Sequence, residues 1–190
     1  MKLNVGCGPH YAEGWLNTDF VCRPDLGIKP DVVVDPADPL PFKAASFTAG
    51  YVGHALEHMP WDEVPDFLAK LAYVMESDAR VMFVGPDTDE VIRNYAAGQA
   101  TWHDVAIVLE GPSAYTEAAG FAPTTRWDAD RHMWNCNEQR VQTLLCDLGW
   151  HDVESWGVDE EGLLSALPGW PLVSQARNQF AVWATIPLQQ

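Results

Sequence analysis

The chain has 190 residues, of which 47% are hydrophobic and 20% are charged, a composition typical of a globular protein and not of a disordered one. Its formal net charge of −16 argues against nucleic-acid partners, because a phosphate backbone is held by clustered lysines and arginines, and the chain has only 11 of them. We interpret the negative charge as a solvated acidic surface, and the length predicts a single domain over residues 1–190.

The cysteines predict reduced thiols in a cytoplasmic protein. The four of them, at positions 7, 22, 136 and 146, contain no CxxC pair, so we expect neither a disulfide framework nor a metal site. No signal peptide is recognisable, and no apolar run is long enough to span a membrane. The sequence does not indicate an oligomeric state.

Strand-like and helix-like segments alternate in the first half of the chain, which predicts a parallel sheet with crossover connections. Apolar residues with helical spacing predict a helix over residues 61–76, with Pro65 in its first turn, where a missing N–H costs little. The predicted strands in this half are residues 2–5, 15–20, 31–35, 47–52 and 79–85.

The second half begins with a segment that breaks this alternation. Residues 88–134 contain two short helical pieces and several tryptophans, and we expect them to form an insertion or lid over the active site. Asn135 followed by Glu138 predicts a capping box that begins a helix ending at Gly149. Residues 150–156 and 179–186 are predicted to be the last two strands.

Two glycines, Gly6 and Gly8, end the first predicted strand in the run Leu3-Asn4-Val5-Gly6-Cys7-Gly8. Glycine at such a turn permits unusual backbone angles and a close approach of a ligand to the main chain. Asp19 and Asp35 end the next two predicted strands, and ligands bind at the carboxyl ends of strands in doubly wound sheets. The glycines alone are equally consistent with an ordinary tight turn, and each aspartate alone favours a strand-end cap over a ligand contact. Only their spacing favours a nucleoside site.

Taken in order, these motifs resemble the class I S-adenosylmethionine-dependent methyltransferases. The resemblance extends over residues 1–90 by motif and over residues 132–186 as a pattern of elements. It is carried by Leu-Asn-Val-Gly-Cys-Gly at 3–8, Gly-Trp-Leu-Asn-Thr-Asp at 14–19, Asp-Val-Val-Val-Asp at 31–35, Pro-Leu-Pro-Phe at 39–42, His-Ala-Leu-Glu-His at 54–58 and Val-Gly-Pro-Asp at 84–87.

This resemblance implies an α/β fold with a Rossmann-like, doubly wound, seven-stranded sheet. The sheet would be mostly parallel with the last strand antiparallel, and it would carry an insertion between strands 5 and 6. The resemblance also implies S-adenosyl-L-methionine as the cofactor, with Asp19 on the ribose and Asp35 on the adenine. The implied cofactor-binding residues are Asn4, Gly6, Cys7, Gly8, Asp19, Phe20, Asp35, Pro36, Ala37 and His54. Since Pro36 has no N–H, a backbone bond to the adenine is expected from Ala37.

The expected reaction is methyl transfer to an oxygen or nitrogen of a small-molecule or sugar-like acceptor. Enzymes that methylate nucleic-acid amino groups carry an Asn/Asp-Pro-Pro-aromatic motif where this chain reads Val-Gly-His-Ala at 52–55. Histidines titrate near neutrality, so the candidate bases are His54, His58 and His132, each of which has packing or cofactor orientation as an alternative role. The candidate acceptor-binding residues are Trp102, Arg126 and Trp134.

Two other functions stay open. The spacing from Gly8 to Asp19 is too short for a full first helix, which favours a catalytically silent S-adenosylmethionine-binding module that acts through partners. An NAD-dependent oxidoreductase is the second alternative, but Tyr11 stands where the dinucleotide fingerprint Gly-x-Gly-x-x-Gly requires its third glycine.

Overall fold

The computed structural model describes residues 1–111, 131–156 and 178–187, and within them seven strands form one sheet. The order across the sheet is β3-β2-β1-β4-β5-β7-β6. All neighbours pair in parallel except β7, which is antiparallel to both β5 and β6. The strands are β1 (Lys2–Val5), β2 (Trp15–Asp19), β3 (Val32–Val33), β4 (Phe47–Gly53), β5 (Met75–Pro86), β6 (His151–Ser155) and β7 (Gln179–Thr185). This topology confirms the predicted doubly wound sheet with an antiparallel last strand.

Four helices and two 3₁₀ turns connect the strands in the described part of the chain. The helices are α1 (Val64–Val74), α2 (Thr88–Ala96), α3 (Trp102–Glu110) and α4 (Glu138–Asp147), and the 3₁₀ turns are Pro24–Leu26 and Leu56–His58. The apolar periodicity predicted α1 correctly, since its buried residues recur every three or four positions and its proline lies in the first turn. None of these helices is long and apolar enough to cross a membrane.

The last six residues of β5 are buried, and side chains on both faces of the strand pack against apolar clusters. In β5, Val81 and Phe83 belong to the larger core, which includes α1 and α4, while Met82 and Val84 belong to a smaller cluster on the opposite face. That smaller cluster includes Trp183 of β7. The alternation follows from the two-residue period of a strand, and it determines which face of the sheet each side chain occupies.

The order reverses direction between β1 and β4, which makes the carboxyl ends of these strands the switch point of the sheet. No helix lies between β1 and β2, as the short spacing predicted. The chain instead turns at Gly6 and Gly8, whose φ angles are +71° and +50°. The backbone at the switch point is therefore a glycine turn without the usual helix behind it.

Helix α4 begins differently from the prediction. Asn137, not Asn135, is the N-cap, and its side-chain oxygen accepts the N–H of Arg140 at 2.8 Å. The carbonyl of Asn135 instead accepts a bond from the Arg140 guanidinium at 2.8 Å. Asn135 and Asn137 are both possible N-caps from the sequence. In the structure the helix that begins after Asn137 buries Val141 and Leu145.

Strand β5 also starts earlier than predicted, at Met75. The expected polar turn is present within it as an irregularity in the pairing with β4, and Asp78 there has a φ of +60°. A strand that follows α1 without a glycine needs such a residue to redirect the backbone.

We predict that Gly6→Ala destabilises the protein by at least about 2 kcal/mol. A Cβ at position 6 meets the carbonyl oxygen of Gly53 at 2.8 Å and the Cβ of Ala55 at 3.0 Å, and the φ of +71° adds strain. Gly14→Ala is the matched control, because its φ is +78° but its Cβ has nothing within 4 Å among the described residues. It is expected to cost about 1 kcal/mol. Urea unfolding measures both, and equal costs contradict the prediction.

Candidate functional site

The glycine turn after β1 is held to β2 by its own backbone. The N–H of Cys7 donates to the carbonyl of Thr18 at 3.0 Å, and the N–H of Gly8 donates to Asp19 Oδ2 at 2.8 Å. A Cβ built on Gly8 meets nothing within 4 Å among the described residues, in contrast to the crowded position 6. The main chain at Gly8 thus faces open space at the switch point.

Asp19 ends β2 beside this open space, and its side chain is only 8% exposed. Its second carboxylate oxygen accepts the N–H of Val21 at 3.1 Å. Burial raises the pKa of Asp19, although the N–H donors around the carboxylate and the nearby His58 act in the opposite direction. A carboxylate oxygen accepts more than one hydrogen bond, so Asp19 keeps acceptor capacity for a ligand hydroxyl.

The predicted adenine contacts lie in a tight turn after β3. Asp35 is exposed, and its Oδ1 accepts the N–H of Ala37 at 2.9 Å. The N–H that we expected to bind adenine is therefore bonded to Asp35 in this structure. Lys70 of α1 donates to the carbonyls of Pro36 at 3.0 Å and of Ala37 at 2.7 Å. Phe20 is buried in the main core next to this turn.

A buried network of polar side chains supports the glycine turn after β1. Asn17 Oδ1 accepts from Asn4 Nδ2 at 2.9 Å and from the N–H of Ala12 at 2.8 Å. Its amide donates to the carbonyls of Ala12 and Trp15, both at 3.1 Å, and to Asp31 Oδ2 at 3.2 Å. Asn4 Oδ1 is buried and has no hydrogen-bond partner among the described residues. One asparagine side chain therefore fixes the segment that closes the glycine turn.

Cys7 is not a nucleophile in this arrangement. Its side chain is 3% exposed, and burial, together with the charges of Asp19 and Asp31, raises the pKa of the thiol to about 12. A protonated thiol is a poor nucleophile, so the role of Cys7 is to fill space within the turn.

His54 and Glu57 form an ion pair at the end of β4. His54 has a φ of +50°, 40% of its side chain is exposed, and its Nδ1 lies 3.1 Å from Glu57 Oε1. Glu57 is fully buried, which by itself raises the pKa of its carboxyl. The hydrogen bond and charge of His54, with smaller effects of His58 and His132, outweigh burial and hold the pKa below its usual range.

The other two predicted bases lie together next to this pair. The rings of His58 and His132 are in edge-to-face contact with centroids 5.1 Å apart. Burial lowers the pKa of His132. The segment that carries it is fixed to the 3₁₀ turn Leu56–His58, because the N–H of Met133 donates to the Glu57 carbonyl at 2.7 Å. The structure therefore brings His54, His58 and His132 to one place around Glu57.

The predicted acceptor-binding residues are not brought together in the same way. Trp102 is 61% exposed at the start of α3 and packs against Tyr95 of α2 at 5.9 Å. Trp134 is 9% exposed, contacts Trp61 in a tilted arrangement with ring centroids 4.6 Å apart, and donates its indole N–H to the Leu56 carbonyl at 2.9 Å. Arg126 lies outside the described residues, as does most of the second half of the predicted 88–134 insertion.

Three residues with central contacts here were not singled out from the sequence: Asn17, Glu57 and Lys70. Glu57 stands between two histidines in the His-Ala-Leu-Glu-His run, which is the one signal that pointed to it. The roles of Asn17 and Lys70 depend on contacts between distant segments, which no local pattern reports.

The fold is that of known methyltransferases, although no protein-family model and no curated protein matches the sequence. A SAM-dependent methyltransferase from Archaeoglobus fulgidus aligns with a TM-score of 0.56 at 13% identity, covering 97% of this chain and 85% of that one. Another from Methanosarcina mazei aligns with a TM-score of 0.56 at 16% identity over 99% and 92%. The superpositions show a shared fold, and at these low identities they show the fold alone.

A third similar structure contains ligands. It is the 1,6-didemethyltoxoflavin-N1-methyltransferase from Burkholderia thailandensis with bound 1,6-didemethyltoxoflavin and S-adenosylhomocysteine. It aligns with a TM-score of 0.52 at 13% identity, covering 98% of this chain and 70% of that one.

We predict that Asn17→Ala lowers the free energy of unfolding by about 2–3 kcal/mol, because it removes the buried hydrogen bonds to the amide of Asn4 and to the carbonyl of Ala12 and takes away the acceptor of the Ala12 N–H. Asn135→Ala, an exposed asparagine, is the control and is expected to change stability by less than about 0.5 kcal/mol. Chemical denaturation of both variants checks this. A loss at position 17 no larger than at position 135 contradicts a central role for the network.

Proposed function

We propose that this protein, which has the fold of the S-adenosylmethionine-dependent methyltransferases, binds S-adenosyl-L-methionine and transfers its methyl group to an oxygen or nitrogen of a small-molecule or sugar-like acceptor. The observation that carries the proposal is the glycine turn at the switch point of the sheet, where Gly8 faces open space beside the buried carboxylate of Asp19. Fold likeness alone does not assign an activity, so the proposal depends on this site.

The residues at the switch point fit an adenosyl ligand. The main chain of Gly8 borders open space next to Gly6 and Cys7, and Asp19 supplies an acceptor for ribose hydroxyls. The buried Oδ1 of Asn4, which has no hydrogen-bond partner within the described part of the chain, is a further acceptor next to the turn. In this proposal Asp35, Pro36 and Ala37 border the adenine, and Lys70 holds that turn in place through two backbone carbonyls.

The cofactor supplies an activated methyl group on a sulfonium, so the chain mainly has to align donor and acceptor. His54 borders the methionine part of the site in this proposal, with its ring oriented by Glu57. The three histidines are the candidates for removing an acceptor proton, and the 88–134 segment, with Trp102, Arg126 and Trp134, is the proposed cover. The acidic composition and the four free cysteines support a small acceptor and a reducing, cytoplasmic setting.

Two measurements test the proposal in sequence. Isothermal titration with S-adenosylhomocysteine should show one site, and incubation with S-adenosylmethionine and a panel of hydroxyl- and amine-bearing metabolites should yield methylated product. Binding without turnover on any acceptor would identify a silent binding module. Preference for NAD over S-adenosylhomocysteine would identify an oxidoreductase and overturn the proposal.

Asp19→Ala is expected to weaken S-adenosylhomocysteine binding by about 1–3 kcal/mol, since charge-assisted bonds to the ribose are lost. Asp66→Ala, an exposed aspartate of α1, is the control and should bind as the wild type does. Denaturation curves must accompany the titrations, because Asp19 also accepts backbone N–H groups. Unchanged affinity in a folded Asp19→Ala variant removes Asp19 from the site.

Gly8→Ala tests the open space directly. Gly8 and Gly14 both have positive φ angles and empty surroundings in the described structure, so alanine strains the backbone similarly at either position. We expect Gly8→Ala to weaken S-adenosylhomocysteine binding at least tenfold and Gly14→Ala to leave it unchanged. Equal affinities of the two variants would place the ligand elsewhere.

A further inference from the structure

We infer that Glu57, His58 and His132 form a binding site for a divalent transition-metal ion of the Zn²⁺ type. One ligand atom from each side chain lies within 4.8 Å of the other two. Two imidazoles and one carboxylate are the donor set of many three-ligand zinc and non-haem iron sites. We expected no metal site because of the cysteine spacing, but this group contains no cysteine, so that argument does not apply to it.

The hydrogen bonds of the two histidines leave one nitrogen of each ring for a metal. His58 Nδ1 lies 3.0 Å from the carbonyl of Arg131, and His132 Nδ1 lies 2.7 Å from the carbonyl of Val108. A carbonyl only accepts, so each Nδ1 carries the proton and each neutral ring keeps its lone pair on Nε2. Metal-binding histidines are commonly held by such a bond from the other ring nitrogen.

Glu57 supplies an independent indication. Its side chain is 1% exposed, and while Oε1 is paired with His54, Oε2 is buried without a hydrogen-bond partner among the described residues. A buried carboxylate oxygen is rarely left without a partner, and an ion bound there supplies one. The hydrogen bond from His54 to Oε1 would then orient the carboxylate, as hydrogen bonds to metal-binding carboxylates commonly do.

The backbone around the cluster holds the ligands from two distant parts of the chain close together. His58 ends the 3₁₀ turn that carries Glu57, while His132 lies on the segment before α4. Besides the Met133 and Arg131 contacts, the indole of Trp134 donates to Leu56. In a tetrahedral shell the ligand atoms lie about 3.3 Å apart, so binding of an ion requires the three atoms to move closer together than 4.8 Å.

Three protein ligands leave at least one coordination position open, as in catalytic rather than structural metal sites. Both histidines are only partly buried, so the position is reachable from outside. The inference concerns metal binding by these side chains and does not depend on methyl transfer.

The test uses the full chain freed of metal by a chelator and titrated with ZnCl₂. The wild type should take up one Zn²⁺ per chain, while His58→Gln and His132→Gln should each bind at least tenfold more weakly. His103→Gln, which removes an exposed histidine of α3, is the matched control and should bind as the wild type does. Absence of stoichiometric uptake, or equal affinity in all four proteins, overturns the site.

A second measurement does not require variants to fold. Imidazole ¹H–¹⁵N correlation spectra of the wild type should show two of the six histidines shifting on addition of Zn²⁺. These are expected to be His58 and His132, and unshifted resonances for both would overturn the inference.

Titration of the zinc-free protein with S-adenosylhomocysteine separates this inference from the proposed function. Retained nucleoside binding without zinc uptake overturns only the metal site. Zinc uptake without nucleoside binding supports the metal site and overturns only the proposed function.

Discussion

The close approach of two backbones at Gly6 is the constraint on which the rest of the structure depends. Only a residue without a Cβ lets the chain leaving β1 pass against Gly53 and Ala55 at the end of β4. This contact holds the end of β1 next to the end of β4. The main chain of Gly8, the carboxylate of Asp19 and the histidine cluster therefore all lie at the carboxyl edge of the sheet.

Buried polar groups then fix the segments around that contact. The Asn17 side chain makes hydrogen bonds with both the β1–β2 connection and Asp31, so the loop is ordered without the helix that such a connection usually contains. On the other side of β1, Glu57 lies buried among three histidines in a protein that is strongly acidic overall. Burying a lone carboxylate is costly, and its pairing with His54 offsets part of that cost.

The segment before α4 links the two halves of the chain. Trp134 contacts Trp61, and the guanidinium of Arg140 lies over both rings, 4.6 Å from the centre of Trp61 and 5.1 Å from that of Trp134. This packing places His132 next to His58, and it gives Trp134 a structural role in addition to the acceptor contact predicted for it. Helices α2 and α3 pack against each other.

Local patterns were sufficient to predict most of the secondary structure. Strands β1, β2, β4 and β7 and helix α1 follow from apolar periodicity, because burial on one or both faces requires it. The same reasoning failed at the ends of elements. At α4, two asparagines compete for one cap, and at β5 the register against β4 decides where pairing begins.

The sequence by itself determined the fold class and the glycine turn, since turn chemistry and strand periodicity are properties of neighbouring residues. Only the tertiary structure showed that Asn17 supports this turn and that Lys70 supports the turn after β3. It also showed that His132 lies next to Glu57 and His58. Those contacts join residues far apart in the chain. Their geometry is set by how the helices pack on the sheet, which no pattern within a single segment encodes.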